Sequence, residues 1–301
     1  MKAVDLFAGW GGFTLGAESA GVHVVWAANH WQLAVEAHQM NHPGTQHSCQ
    51  DLRQADWSQL PEYDLLLASP ACQGHSTASQ PRRRTYHDAM RATAWAVVDC
   101  ADVTEPELVL VENVPAFRRW RLYPLWLDAL RKLGYNITET HLLASRFGVA
   151  QRRERLFIVG SRARSVTLPA GNSQEPAFGP LIQWDEGDWR PIRRAQRGAQ
   201  ARIHAAQGRH GPRCLSQHVT GHPGVGLDEP IRTLTTKDHW VVVDGDNYRP
   251  LTLRELARGM GFPDGYEWPS TASRTDTLRG LGNAVCPPVA TAAINSLQEA
   301  A

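Results

Sequence analysis

The sequence predicts an α/β protein built on a mostly parallel sheet with helices on both faces. Three observations predict it. Over the first 160 residues, short β-branched or leucine-rich runs alternate with longer helical patterns, as strand–helix–strand units require. A glycine-rich turn, "AGWGG", joins the first run to the first helical pattern. Residues able to do chemistry follow the apolar runs, at the carboxyl ends of strands, where the sites of open α/β sheets lie.

Taken in order, "KAVDLF", "HVVWAA", "YDLLLAS", "ELVLVEN" and "RLFIVGS" read as strands, and helices fit around 31–40, 86–103 and 121–133. From about residue 165 the texture changes to Gly, Pro, Gln, His and Arg with weak periodicity, which predicts a small irregular domain. Helical periodicity returns with "LTLRELARGMGF", and "LRGLGNAVCPPVATAAINSLQ" reads as a turn followed by an apolar helix. The expected division is 1–164 as the main domain, 165–268 as the small one, and 269–301 as a segment returning to the first.

Composition narrows the class. No apolar run approaches the roughly 20 residues that span a bilayer, and "MKAVDLFAGWGG" lacks the pattern of a secretory signal, so the expected location is the cytoplasm. The five cysteines, Cys49, Cys72, Cys100, Cys214 and Cys286, include no C-x-x-C pair, which argues for reduced thiols and no bound metal. The formal net charge is +1, yet almost every cation is arginine; Lys2, Lys132 and Lys237 are the only lysines. Arg190, Arg193, Arg194, Arg197, Arg202, Arg209 and Arg213 follow one another with no acid between them. Arginine suits bidentate phosphate and base-edge contacts, so this segment is expected to meet a polyanion.

The strand ends carry the chemistry. Gly9, Gly11, Gly12 and Gly16 do not match G-x-G-x-x-G spacing, but they let a ligand approach backbone and a helix start, and Trp31 and Asp51 could stack on and hydrogen-bond an adenosine. In "SPACQGHS", Cys72 follows a strand, where neighbouring positive charge would make it a nucleophile. "LVLVENVP" delivers Glu112 from an apolar strand; partial burial would raise its pKa and suit it to general acid work. Arg153 and Arg155 in "QRRERLFIVGS" alternate just before a strand.

Together these pieces resemble the cytosine carbon-5 DNA methyltransferases. The resemblance rests on "DLFAGWGG", "NHW", "QDL", "PACQGHS", "VENV", "QRRERLFIVG", "RTLTTKDHW", "RELARGMGFPDGY" and "GNAV", in that order, and covers nearly the whole chain outside 165–228. It implies a Rossmann-like sheet of the class I methyltransferase type with a small target-recognition domain. It also implies a reaction: methyl transfer from S-adenosylmethionine to carbon 5 of a flipped-out cytosine in double-stranded DNA, through a covalent cysteine adduct at carbon 6.

By the same resemblance, Phe7 and Trp31 flank the adenine and Asp51 accepts from its amine. Gly9, Trp10, Gly12, Asn29, His30, Leu52, Asn283 and Val285 complete the donor site. Cys72 is the nucleophile, Glu112 holds ring nitrogen 3, Arg155 the base carbonyl, and Arg153 supports it. Gln73, Ser76, Arg82, Arg83, Arg84, Arg193, Arg194, Arg197, Arg209, Arg213, Thr235 and Thr236 are the residues expected at the DNA. His30 stands where the family places an acid on the ribose, which leaves room for a modified S-adenosylmethionine as the donor. The same motifs are also compatible with an RNA substrate or with a catalytically silent DNA-binding homologue. The expected state is a monomer, encoded by a bacterium or phage, whose restriction endonuclease, if it has one, is a separate chain.

Overall fold

The computed structural model describes residues 1–71, 93–219, 221–237 and 239–299. Its strands are β1 (Lys2–Leu6), β2 (His23–Asn29), β3 (Gln46–Cys49), β4 (Leu65–Ala68), β5 (Leu108–Asn113), β6 (Asn136–Leu143), β7 (Gln151–Arg152), β8 (Glu154–Ser161), β9 (Arg190–Pro191), β10 (Arg213–Gln217), β11 (Ile231–Arg232), β12 (Trp240–Asp244) and β13 (Asn247–Pro250). Its α-helices are α1 (Gly12–Ser19), α2 (Gln32–Asn41), α3 (Trp95–Thr104), α4 (Tyr123–Lys132), α5 (Arg197–His210), α6 (Leu253–Gly259), α7 (Arg274–Asn283) and α8 (Pro287–Gln298).

Seven strands form the main sheet in the order β3-β2-β1-β4-β5-β8-β6. The pairs among β1 to β5 are parallel, while β8 is antiparallel to both β5 and β6. Parallel strands covered on both faces read as unbroken apolar runs, and β4, "LLLA", is buried at every position. Phe13 and Ala17 of α1 pack with Val289, Ile294 and Leu297 of α8 on one face. Val97 and Ala101 of α3 and Trp126 and Leu130 of α4 cover the other. The approach of α1 to α8 is close enough to require glycine: a Cβ at Gly16 would lie 2.4 Å from that of Ala290.

The five expected strands and the helices near 31–40 and 121–133 are all present. The helix expected at 86–103 is described only from Trp95, since residues 72–92 lie outside the described set. Two strands of the sheet, β3 and β6, went unforeseen. Both lie at its edges and are half-exposed and polar, "QHSC" and "NITETHLL", so no apolar run betrays them.

The region expected to be irregular is ordered differently. It holds an antiparallel sheet, β10-β12-β13-β9, and the 14-residue helix α5. Leu215, Trp240 and Val242 face the main core, while Cys214, Val241 and Val243 pack against Ile203 and Ala206 of α5. Helix α6 then packs on α7 within the main core.

The chain leaves β1 toward β2 and β3, then crosses to β4 on the other side. The order therefore reverses between β1 and β4, and a crevice opens at the carboxyl ends of these two strands.

Candidate active site

A cavity of about 220 Å³ occupies that crevice. Its first wall is the turn after β1. Phe7 takes φ 61°, a rare conformation for a side-chain-bearing residue, and Gly9 follows at φ 55°. The Ala8 N–H donates to the Ala28 carbonyl and the Gly11 N–H to that of Ala8, so the turn is held from β2 and from within itself. This strained turn presents Phe7, Gly9 and Trp10 to the cavity.

The second wall follows β2 and β3. Asn29 is buried and its Oδ1 accepts from the Trp31 N–H at 3.0 Å, which fixes the turn carrying His30 and Trp31. Trp31 meets Trp10 edge-on, with ring centroids 6.0 Å apart, and the Arg279 guanidinium lies 4.8 Å from the Trp31 ring centroid. Asp51 and Leu52 also line the cavity. The Asp51 carboxylate is engaged by Arg53, whose Nε reaches both oxygens at 3.0 and 3.1 Å, and this pairing holds its pKa below the usual carboxylate range. Asn283, Ala284 and Val285 close the cavity from the end of α7.

Gly12 lies elsewhere. It does not line the cavity; a Cβ there would stand 2.1 Å from the Val285 carbonyl oxygen, so its lack of a side chain lets α1 meet the C-terminal segment.

The floor comes from β5 and β8. Glu112 is 5% exposed, and its Oε1 lies 3.1 Å from Nε of Arg155, whose side chain is 16% exposed. Burial raises the Glu112 pKa, with Arg155 and Arg153 opposing the shift. Asn113, next in the chain, donates to the Pro70 carbonyl at 3.0 Å and ties β5 to the segment leaving β4. Pro70 and Ala71 line the cavity. Cys72, Gln73, Ser76, Arg82, Arg83 and Arg84 lie outside the described residues.

Arg153 lines the cavity as well, and it bonds to backbone around it. It is 1% exposed and donates to the carbonyls of Leu234, Gly282 and Ala284 at 2.9–3.1 Å. The buried guanidinium thus joins three distant chain segments, and it positions the cavity wall. Exposed Thr235 and Thr236 lie against Gly282 in the same junction, where a Cβ on Gly282 would come 2.5 Å from the Thr235 carbonyl carbon.

Among the arginines expected at DNA, Arg193, Arg194, Arg197 and Arg209 are exposed and form no ion pair among the described residues. Arg213 differs. Its Nε and Nη2 engage Asp244 at 2.9 and 3.1 Å and its guanidinium stacks over Trp184, so the residue braces β10 against β12. Three charged cavity residues were not foreseen: Asp5, Arg53 and Arg279. Asp5 carried a legible signal, an acid set between apolar Ala3, Val4 and Leu6 of β1, which is seldom buried without a purpose.

No group of three or more His, Cys, Asp or Glu suited to a metal occurs among the described residues, and none of their helices is long and apolar enough to cross a membrane. The sequence model of C-5 cytosine-specific DNA methylases matches residues 1–178 and 189–299. Type II methyltransferase M.NlaX of Neisseria lactamica is 27% identical over 322 residues, spanning 100% of this chain and 97% of that one. Type II methyltransferase M.BsuFI of Bacillus subtilis is 26% identical, spanning 99% and 73%. The fold is shared with the solved Entamoeba histolytica methyltransferase EhMeth (TM-score 0.76, 14% identity, 100% and 98% covered) and with the S. pombe Dnmt2 methyltransferase (0.72, 20%, 100% and 98%).

Proposed function

From a chain that belongs to the C-5 cytosine-specific DNA methylase family, we infer a DNA cytosine-5 methyltransferase that draws on S-adenosylmethionine and reacts through Cys72. One observation carries this reading. The aromatic and glycine walls suited to a nucleoside donor and the buried Glu112–Arg155 pair suited to a pyrimidine edge line the same cavity.

The residues present fit such a donor. Phe7 and Trp31 offer ring faces, Asp51 an acceptor once Arg53 yields, and buried Asp5 keeps one oxygen without a hydrogen-bond partner among the described residues. When bound, S-adenosylmethionine supplies a methyl group on a sulfonium. Carbon 5 of cytosine is a poor nucleophile unaided, which is why covalent activation is needed. The Cys72 thiolate adds to carbon 6 and the carbon 5–carbon 6 π pair becomes available at carbon 5. Glu112, kept protonated over a wider pH range by burial, donates to ring nitrogen 3 as negative charge develops there. Arg155 donates to the base carbonyl and holds Glu112 in place. After methyl transfer, loss of the carbon 5 proton lets the carbon 6–sulfur bond break and the thiolate leave. The base must leave the duplex to enter the cavity.

Exposed Arg193, Arg194, Arg197 and Arg209 supply phosphate contacts, and Thr235 and Thr236 contact DNA near the cavity. The Type II names of the relatives support a restriction-modification setting with the nuclease on a separate chain.

The test is transfer of label from methyl-tritiated S-adenosylmethionine to duplex DNA, single-stranded DNA and transfer RNA in parallel. Label in duplex DNA, lost in Cys72→Ala and Glu112→Gln, supports the reading. Label in RNA alone, or DNA binding without label, contradicts it.

A further inference from the structure

The turn after β1 is fastened from behind by residues outside the cavity lining. Tyr266, in the loop between α6 and α7, is buried, and its hydroxyl donates to the Trp10 carbonyl, 256 residues earlier in the chain. Nε2 of buried His42, just past the end of α2, lies 3.1 Å from that hydroxyl, and its Nδ1 lies 2.8 Å from Oε2 of Glu18 on α1. Gly11, next to Trp10, leaves the room this needs: a Cβ there would come 2.5 Å from the Tyr266 hydroxyl and 2.7 Å from His42 Nε2. None of Tyr266, His42 and Glu18 is among the described residues that line the cavity, whereas Trp10 is.

The protons along this line have one consistent order. The Trp10 carbonyl can only accept, so it takes the single hydroxyl proton of Tyr266, and the hydroxyl oxygen accepts from His42 Nε2–H. The Glu18 carboxylate accepts from Nδ1–H, so His42 carries both protons and forms an ion pair with Glu18. The neighbouring titratable groups are engaged elsewhere. The His38 ring lies 4.5 Å from that of His42 but bonds to Thr14 and His47, and Asp5 accepts from Thr14. The Trp10 side chain is held as closely as its carbonyl. A Cβ on Gly280 would lie 0.5 Å from Trp10 Nε1, so the indole fills the space that this glycine leaves, edge-on to Trp31.

We propose that Tyr266 is a positioning residue of the donor site: it holds the Trp10 carbonyl, and with it the turn after β1, in the shape that receives the donor, and the His42–Glu18 ion pair holds its hydroxyl in place. The proposal rests on the donor reading above and deepens it. The turn needs such a hold, since Phe7, Gly9 and Gly11 all have positive φ, and a backbone in sparsely populated conformations persists only where its surroundings fix it. Without the clamp the empty turn relaxes, and affinity falls in proportion to the fraction that stays competent. Glu112 and Arg155 stand on other strands, so the chemistry of the loaded site is unaffected.

Calorimetry with S-adenosylmethionine, alongside steady-state methylation of duplex DNA, tests this. Tyr266→Phe removes one oxygen and leaves the ring packed on Phe262. It is expected to weaken donor affinity and raise the donor KM about tenfold, with kcat at saturating donor and the KM for DNA unchanged. Glu18→Gln, at a part-exposed position, is expected to weaken donor affinity about threefold in the wild-type background and not at all on top of Tyr266→Phe, because its effect passes through the hydroxyl. The Glu18→Gln single variant still reads the line of bonds if Tyr266→Phe does not fold. Unchanged donor affinity in either single variant, a fall in kcat at constant donor KM, or equal losses from Glu18→Gln in both backgrounds overturns the proposal. A folded wild-type chain that binds no S-adenosylmethionine would instead overturn the donor reading on which it rests.

Discussion

Three buried charged residues show how differently one charge can be used. Arg153 is spent on carbonyls, Arg249 on an ion pair, and Asp5 on a cavity. Arg249 and Glu255 are each 0% exposed and bonded at 2.7 and 2.8 Å; Glu255 also caps α6 by accepting from the Thr252 N–H. Glu255→Gln leaves the Arg249 charge uncompensated, so a loss of about 3–5 kcal/mol is expected in denaturant unfolding. Asp5 makes the opposite prediction. Its folded pKa, about 7, lies above the unfolded 3.8, so the stability it contributes is complete below 3.8 and is lost as pH rises through about 7. Relative to wild type, Asp5→Asn should therefore gain stability between pH 4 and pH 8 in parallel thermal melts; equal pH profiles for the two would contradict this. Residues whose neighbours in sequence carry the signal, such as Glu112 ending an apolar strand, were legible from sequence. Arg279 over Trp31 and the Arg213–Asp244 brace were not, since each depends on segments brought together only by the fold.

At the level of elements, the turn after β1 works because three short pieces meet without side chains between them. Gly12 admits the Val285 carbonyl, Gly16 admits α8, and Gly282 admits the Thr235 backbone. Gly12→Ala would press a methyl against backbone that cannot rotate away, so destabilisation of about 1–3 kcal/mol and weaker donor binding are expected together, by melting and calorimetry. Unchanged stability would show that the C-terminal segment moves aside at little cost. The sequence indicated this junction only in part. Its glycines were visible as a turn, but Gly12 read as a donor contact because nothing in one chain segment names the partner 273 residues on. Helix α5 was hidden for a different reason: Ala199, Ile203 and Ala206 are its only buried residues among 14, too narrow a stripe to stand out from arginine and glutamine.

Across the whole molecule, the reversal of strand order between β1 and β4 sets the donor walls beside the Glu112–Arg155 pair. That arrangement was legible from the sequence, because parallel sheets place their sites at strand ends whatever the loops contain. The antiparallel sheet β10-β12-β13-β9 was not, its strands being only two to five residues long, with β9 and β13 polar and largely unburied. Its outer helix and the preceding turn carry exposed arginines, so replacing Arg193, Arg194 and Arg197 with Gln should reduce the slope of log affinity for duplex DNA against log salt by up to about 2.7. An unchanged slope would place the DNA on another face. The central claim, that this cavity modifies cytosine in DNA through Cys72, is tested most directly by nucleoside mass spectrometry of genomic DNA from cells expressing the chain, with Cys72→Ala alongside. Cytosine heavier by one methylene in the first sample and absent from the second is the predicted result. Unmodified DNA from cells that accumulate the folded wild-type protein would contradict it.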